Sequence, residues 1–155
     1  MCYLENSFFS FIYSEIYFKM KIKQYLEEIG NLKNLNLDKN PDLENILSDI
    51  VSNESNIQFT VLDFFENENL KPEIISKIEQ NLNLVFTEEV NTNVCFLNST
   101  ELRPEYKQSF RLNDLLDYMY AFAHSSFYLK SQKIIIVSDT EVFWNVAKVG
   151  SDLKR

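Results

Sequence analysis

Apolar positions in this chain recur mostly at helical steps and alternate in only a few places. Over residues 3–29, Leu4, Phe8, Phe11 or Ile12, Ile16, Met20, Leu26 and Ile29 form one broad stripe. That spacing predicts a long amphipathic helix, with Gly30 as its C-terminal stop. Residues 31–40, rich in Asn and Leu, read as a linker. Asn40-Pro41 predicts a cap followed by a first-turn proline, opening a short helix with Leu43, Ile46, Leu47 and Ile50 inward. A polar turn at 52–56 leads into Ile57–Phe65, which alternates and then turns continuously apolar, the pattern of a strand. After a second turn at 66–70, Pro72 starts a helix with Ile74, Ile75, Ile78 and Leu82 inward. Residues 84–87 read as a short extended piece, 94–97 as a weak strand and 98–108 as a loop.

The strongest helical pattern lies in the stretch 112–130, where Leu112, Leu115, Leu116, Met119, Tyr120 and Ala123 recur at three- and four-residue steps. Asn113 stands where an N-cap is expected, and Asp114 and Asp117 fall in the first turn, where the helix dipole favours negative charge. His124 and Ser125 close this helix at its negative end. Tyr118 and Tyr120 point to different sides, so one belongs to the core and the other to the surface. Lys133–Val137 predicts a strand, and Ser138 with Glu141 predicts a capping box into a last helix with Val142, Val146, Val149 and Leu153 on one side. The expected fold is therefore α+β and mainly helical, with about five helices and a few short strands in a small sheet.

Composition narrows the chemistry more than the fold. At 155 residues, 45% apolar and 14% aromatic, the chain can bury a sizeable core. It has two glycines, Gly30 and Gly150, far apart, so no glycine-rich loop can cradle phosphates. The net charge of −8 is uneven: residues 1–70 hold 5 basic and 12 acidic side chains, against 10 and 11 in residues 71–155. An acidic first half is a poor surface for nonspecific nucleic-acid binding, whereas the nearly neutral second half can carry a local basic patch. Cys2, Cys95 and a single histidine do not supply a zinc site, and reduced thiols fit a cytoplasmic protein.

The apolar run at 6–14 ends at Glu15, short of the roughly 20 residues that span a bilayer. No membrane segment and no secretory leader are expected. The aromatic residues Phe8, Phe9, Phe11, Tyr13, Tyr17 and Phe18 need cover, either from this chain's own core or from a partner.

No covalent chemistry is legible. His124 lacks an evident nucleophilic partner and suits a dipole-stabilised cap. Glu27/Glu28 and Glu88/Glu89 are sequence neighbours that face different sides, as solvated surface does. Asp152-Leu-Lys154 has half the spacing of a metal-dependent nuclease motif but no acidic partner upstream, and reads as coincidence.

Three blocks do carry a resemblance. Asp114-Leu-Leu-Asp-Tyr-Met-Tyr-Ala-Phe-Ala-His-Ser-Ser-Phe-Tyr128 resembles the D-x-L-D-Y-x-Y-A-x-x-H-S-x-x-Y signature near the C-terminus of type ISP restriction–modification enzymes and related adenine-specific DNA methyltransferases. Residues 71–87, a proline-led helix followed by Asn-Leu-Val-Phe-Thr, resemble the segment that precedes it. Asp139-Thr-Glu-Val-Phe-Trp-Asn-Val-Ala-Lys-Val-Gly150 resembles that family's D-x-x-x-F-W-x-L-x-x-L-G helix. The chain departs from the family in a shorter connection between Lys130 and Lys133 and in Gln132–Val137, which stands where the family has a proline-rich stretch.

The resemblance implies a domain organisation and a function. Residues 66–155 correspond to the specificity region, and residues 1–65 form an unassigned N-terminal part with the aromatic amphipathic helix. In that family, such a region reads a DNA target while a methyltransferase domain flips and methylates an adenine. The N-P-P-Y loop is absent because Pro41, Pro72 and Pro104 are isolated, and so is the glycine-containing S-adenosylmethionine loop. The implied role is a noncatalytic target-recognition fragment that binds double-stranded DNA and depends on a methyltransferase core. That core, not this chain, would hold S-adenosylmethionine. Arg103, Lys107, Arg111, Lys130 and Lys133 flank the signature helix and are the candidate DNA contacts. The alternative is a protein–protein module, or a vestigial fragment, that docks through its N-terminal aromatic helix without touching DNA.

Overall fold

A computed structural model of the chain describes residues 7–32, 41–53, 56–66, 69–87 and 108–154, with side chains in the first helix from residue 19 to residue 31. The fold is mainly helical α+β. Helices α1 (Ser7–Leu32), α2 (Pro41–Val51), α3 (Pro72–Leu82), α4 (Leu112–Ala123), α5 (Ser126–Ser131) and α6 (Thr140–Leu153) carry most of it. Strands β1 (Ile57–Thr60), β2 (Phe65–Glu66), β3 (Asn69–Leu70), β4 (Val85–Thr87), β5 (Ser109–Arg111) and β6 (Lys133–Ile136) form three separate pairs. β1 pairs antiparallel with β6, β2 antiparallel with β3, and β4 parallel with β5. The β1–β6 ladder joins residues on either side of position 65, with Ile57 opposite Ile136 and Thr60 opposite Lys133.

Helix α4 is the hub. Its residues Leu115, Leu116, Tyr118, Met119, Ala121, Phe122 and Ala123 are buried, on more than one side of the helix. Tyr118 stacks on Phe143 of α6 with ring centroids 5.0 Å apart, and Phe143 meets Phe110 of β5 at 5.9 Å. Such aromatic pairs each add about 0.5–1.5 kcal/mol beyond area burial. Core residues from Ile22 to Ala147 form one cluster, so α1 shares its core with α4 and α6.

Several local expectations need correction. Gly30 does not stop α1; the helix runs on to Leu32, and no glycine takes a positive φ. The buried face of α1 is Ile22, Tyr25 and Ile29, while Met20 is 66% exposed. Ile22 and Met20 are 200° apart on a helical wheel, and the flanking lysines at 21 and 23 hid the isoleucine's role. The aromatic side chains at 8–18 lie outside the described residues. So do the linker at 33–40, the weak strand at 94–97 and the loop at 98–107.

The strand expected over Ile57–Phe65 stops at Thr60, and Val61–Phe64 forms a 3₁₀ turn. Asp63 accepts the Thr60 N–H at 2.9 Å, which pulls the chain out of the ladder and leaves Leu62 75% exposed. A side-chain carboxylate competing for a backbone N–H is the usual way Asp breaks extended structure.

Helix α4 begins one residue earlier than its expected cap. Arg111 is the N-cap residue, and Asp114 accepts its N–H at 2.8 Å. Asn113 sits inside the first turn. Tyr118 is the core tyrosine, and Tyr120, expected on the buried stripe, is only half-buried. Beyond His124, Ser125 caps the separate short helix α5 by accepting from the Tyr128 N–H at 3.1 Å.

Helix α6 is capped by Asp139 rather than Ser138; its Oδ1 accepts from the N–H groups of Glu141 and Val142 at 2.9 and 3.3 Å. The deepest face of α6 is Phe143, Val146, Ala147 and Gly150, with Val142, Val149 and Leu153 packed at its margin. Among the described residues, no helix is long and apolar enough to cross a membrane.

Candidate nucleic-acid interface

The signature block builds a scaffold before it builds a surface. Tyr118 Oη donates to the Ile135 carbonyl at 2.5 Å and accepts the Val137 N–H at 3.3 Å. On the same strand end, Asn81 Nδ2 of α3 donates to the carbonyls of Ile136 and Val137, at 3.1 and 2.8 Å. These two side chains bond backbone groups of Ile135, Ile136 and Val137, at the end of β6 and just beyond it. A buried carbonyl left without a donor costs about 1–3 kcal/mol, so the polar clamps fix where β6 runs. Burial drives the Tyr118 hydroxyl's pKa well above the usual tyrosine range, and it stays a neutral donor.

The start of α5 is held from two sides. Ser125 Oγ donates to the Phe122 carbonyl at 2.6 Å, and Glu44 of α2 accepts from both the Ser126 N–H and its hydroxyl, at 2.9 and 3.1 Å. A carboxylate on the first N–H of a helix is favourable through the helix dipole. This contact ties α2 to the end of the signature.

His124 meets Tyr120 edge to face with ring centroids 4.7 Å apart, and its Nε2 is buried without a hydrogen-bond partner among the described residues. Burial pushes the imidazole pKa down. His124 is the C-cap residue of α4, as its place at the helix end suggests, and burial rather than the helix dipole sets the direction of its pKa shift.

The predicted basic residues fall at opposite ends of α4. Arg111 leads into the helix, is half-buried, and has its Nε 3.9 Å from the Asp114 carboxylate. Lys130 and Lys133 lie past the other end, on α5 and at the first position of β6, and both are exposed. Helix α4 has 12 residues, about 18 Å of rise at 1.5 Å each, so Arg111 and the two lysines cannot share one phosphate. Between Lys130 and Lys133 the chain turns at Gln132, which takes a left-handed conformation with φ of 59° and ends α5. Leu129, the neighbour of Lys130 in the chain, is an exposed apolar side chain. Arg103 and Lys107 lie outside the described residues.

A second cluster was not foreseen. Lys154, the C-cap of α6, places its Nζ 2.7 Å from Asp117 Oδ1, 4.4 Å from the centre of the Tyr25 ring and 5.7 Å from that of Tyr120. In the sequence Asp117 reads as a first-turn charge, and Lys154 as the last residue of the coincidental Asp152-Leu-Lys154 spacing. The available signal was the i, i+3 pairing of Asp117 with Tyr120 on one helix face, which says nothing about which cation arrives from α6.

A groove of about 320 Å³ opens between α2 and the start of α6, walled by Ile46, Ile50 and Val142 and rimmed by Asp49, Asn53 and Asn145. Among the described residues no group of three or more His, Cys, Asp or Glu side chains could hold a metal ion. No protein-family model, curated protein or solved structure matches the chain.

Proposed function

We propose that this chain is a noncatalytic DNA-target-recognition module of a type ISP-like restriction–modification adenine methyltransferase, acting with a separate methyltransferase core. One observation carries the reading. The three blocks that resemble the family, residues 71–87, 114–128 and 139–150, pack on one another rather than lying apart. Asn81 of the first block and Tyr118 of the second hold the same strand end, and Phe143 of the third stacks on Tyr118. That the three blocks share one framework supports the reading, since a family signature is expected to belong to one folded unit.

In this reading the signature is the framework and its flanks meet DNA. Lys130 and Lys133, exposed beside Leu129, are the described residues best placed to contact phosphate, and Arg103 and Lys107 would extend the contact. Base reading needs side chains at groove edges, and a net charge of −8 gives little nonspecific affinity. The methyltransferase core therefore supplies part of the DNA grip. The same acidity favours a second reading, a protein-binding module that does not touch DNA.

One experiment separates the two. The purified chain, alone and mixed with a type ISP-like methyltransferase core, is titrated with a pool of random-sequence duplexes at low salt. Binding that falls steeply with salt, and enrichment of one short sequence when the core is present, is expected. Complex formation with the core but no duplex binding in either sample overturns the proposal and leaves the protein-binding reading.

A further inference from the structure

The Lys154 cluster has the construction of an ammonium receptor. Two aromatic faces, those of Tyr25 and Tyr120, meet edge to face with centroids 5.6 Å apart. The Asp117 carboxylate closes the third side, 2.7 Å from Lys154 Nζ. Beside the lysine, a cavity of about 230 Å³ is bounded by Lys21, Gln24, Glu28 and Asn113. The Tyr25 hydroxyl is buried and has no hydrogen-bond partner among the described residues. Tyrosine faces attract cations through the ring quadrupole, and a desolvated carboxylate beside them demands a counter-charge. Asp117 and Tyr120 are both only partly buried, so the box lies at the margin of the core.

We propose that the Tyr25–Tyr120–Asp117 box is a binding site for a primary ammonium group, held shut by the chain's own Lys154. The 2.7 Å contact requires an N–H donor, so the ligand class is a primary ammonium such as a lysine side chain of a partner polypeptide, and not a quaternary one. Lys154 acts as a tethered plug. Tethering gives it an effective concentration of about millimolar, so free ammonium ligands do not compete until Lys154 is withdrawn or neutralised. Its engagement joins the end of α6 to α1 across α4, and its release would uncouple those elements.

Chemical rescue tests this. In Lys154→Ala the box loses its ammonium, and the melting temperature is expected to fall. Adding n-butylammonium should restore it saturably at millimolar concentration, while tetramethylammonium, n-butanol and sodium chloride at matched ionic strength should not. In Lys154→Ala/Asp117→Asn the rescue should vanish. Equal recovery with tetramethylammonium, or rescue that survives loss of Asp117, overturns the proposal, as does no rescue in a folded Lys154→Ala protein. If Lys154→Ala does not fold, Lys154→Met keeps the apolar stem, and the same titration is read from Tyr25 ring resonances.

Discussion

A Cβ atom built on Gly150 of α6 would overlap the carbonyl oxygen of Asp117 in α4. The two helices touch backbone to backbone at this point, with the Ala121 N–H next in line. The glycine is required for this close approach and not for an unusual φ, since no glycine has a positive one. Gly150→Ala must push α6 away from the hub helix, disturbing the Tyr118–Phe143 stack. A loss of about 3 kcal/mol is expected, the upper part of the usual overpacking cost. Urea denaturation measures it, and Gly30→Ala is the control. Nothing stands within 4 Å of a Cβ at Gly30, so that change should be neutral or mildly stabilising.

Tyr118→Phe removes one hydroxyl and strands two backbone groups, the Ile135 carbonyl and the Val137 N–H. The ring and its stacking remain. A destabilisation of about 2 kcal/mol is expected. Amide exchange should accelerate at Val137 first, before the helices open. Uniform acceleration across α4, with no excess at Val137, would show that the clamp does not hold the strand.

The pH dependence of stability follows from His124. Its folded-state pKa lies below the ordinary 6.5 because the ring is buried. The unfolded chain therefore binds more protons over that interval, and stability rises with pH there. The contribution is complete above the ordinary imidazole range and is lost as pH falls through 6.5 towards the depressed folded value. Asp63, held low by its hydrogen bonds to Thr60, adds a further loss of the same sign in the acid range. Denaturation midpoints measured across both ranges should show the first step disappear in His124→Gln while the second persists.

If the chain contacts DNA through α5 and β6, Lys130→Ala/Lys133→Ala should weaken binding and make the salt slope shallower by about 2, near 0.9 per lost phosphate contact. Arg111→Ala should change that slope less, because Arg111 already faces Asp114. Fluorescence anisotropy over a salt series reads both. An unchanged slope in the double variant removes these lysines from the interface.

Much of the architecture is set by local pattern. The proline starts of α2 and α3, the apolar spacing of α4 and the three isoleucines of β6 are visible in sequence because each obeys a short-range rule. A mainly helical α+β fold follows from them. The choice between Tyr118 and Tyr120 does not, because both sit on a helix buried on several sides, and only the position of α6 and β6 decides which is enclosed. The buried face of α1 turned on the same question.

The cap of α4 lies at Arg111, two residues before the expected Asn113, and that of α6 at Asp139, one residue after the expected Ser138, since competing polar side chains lie within reach of the same N–H groups. The arrangement of function is still less local. Asp117 and Lys154 are read separately in sequence, and the contact between them exists only because Gly150 lets α6 lie against α4. Sequence determined the elements through propensity and periodicity; tertiary structure decided which polar groups meet, because that depends on how closely two backbones can approach.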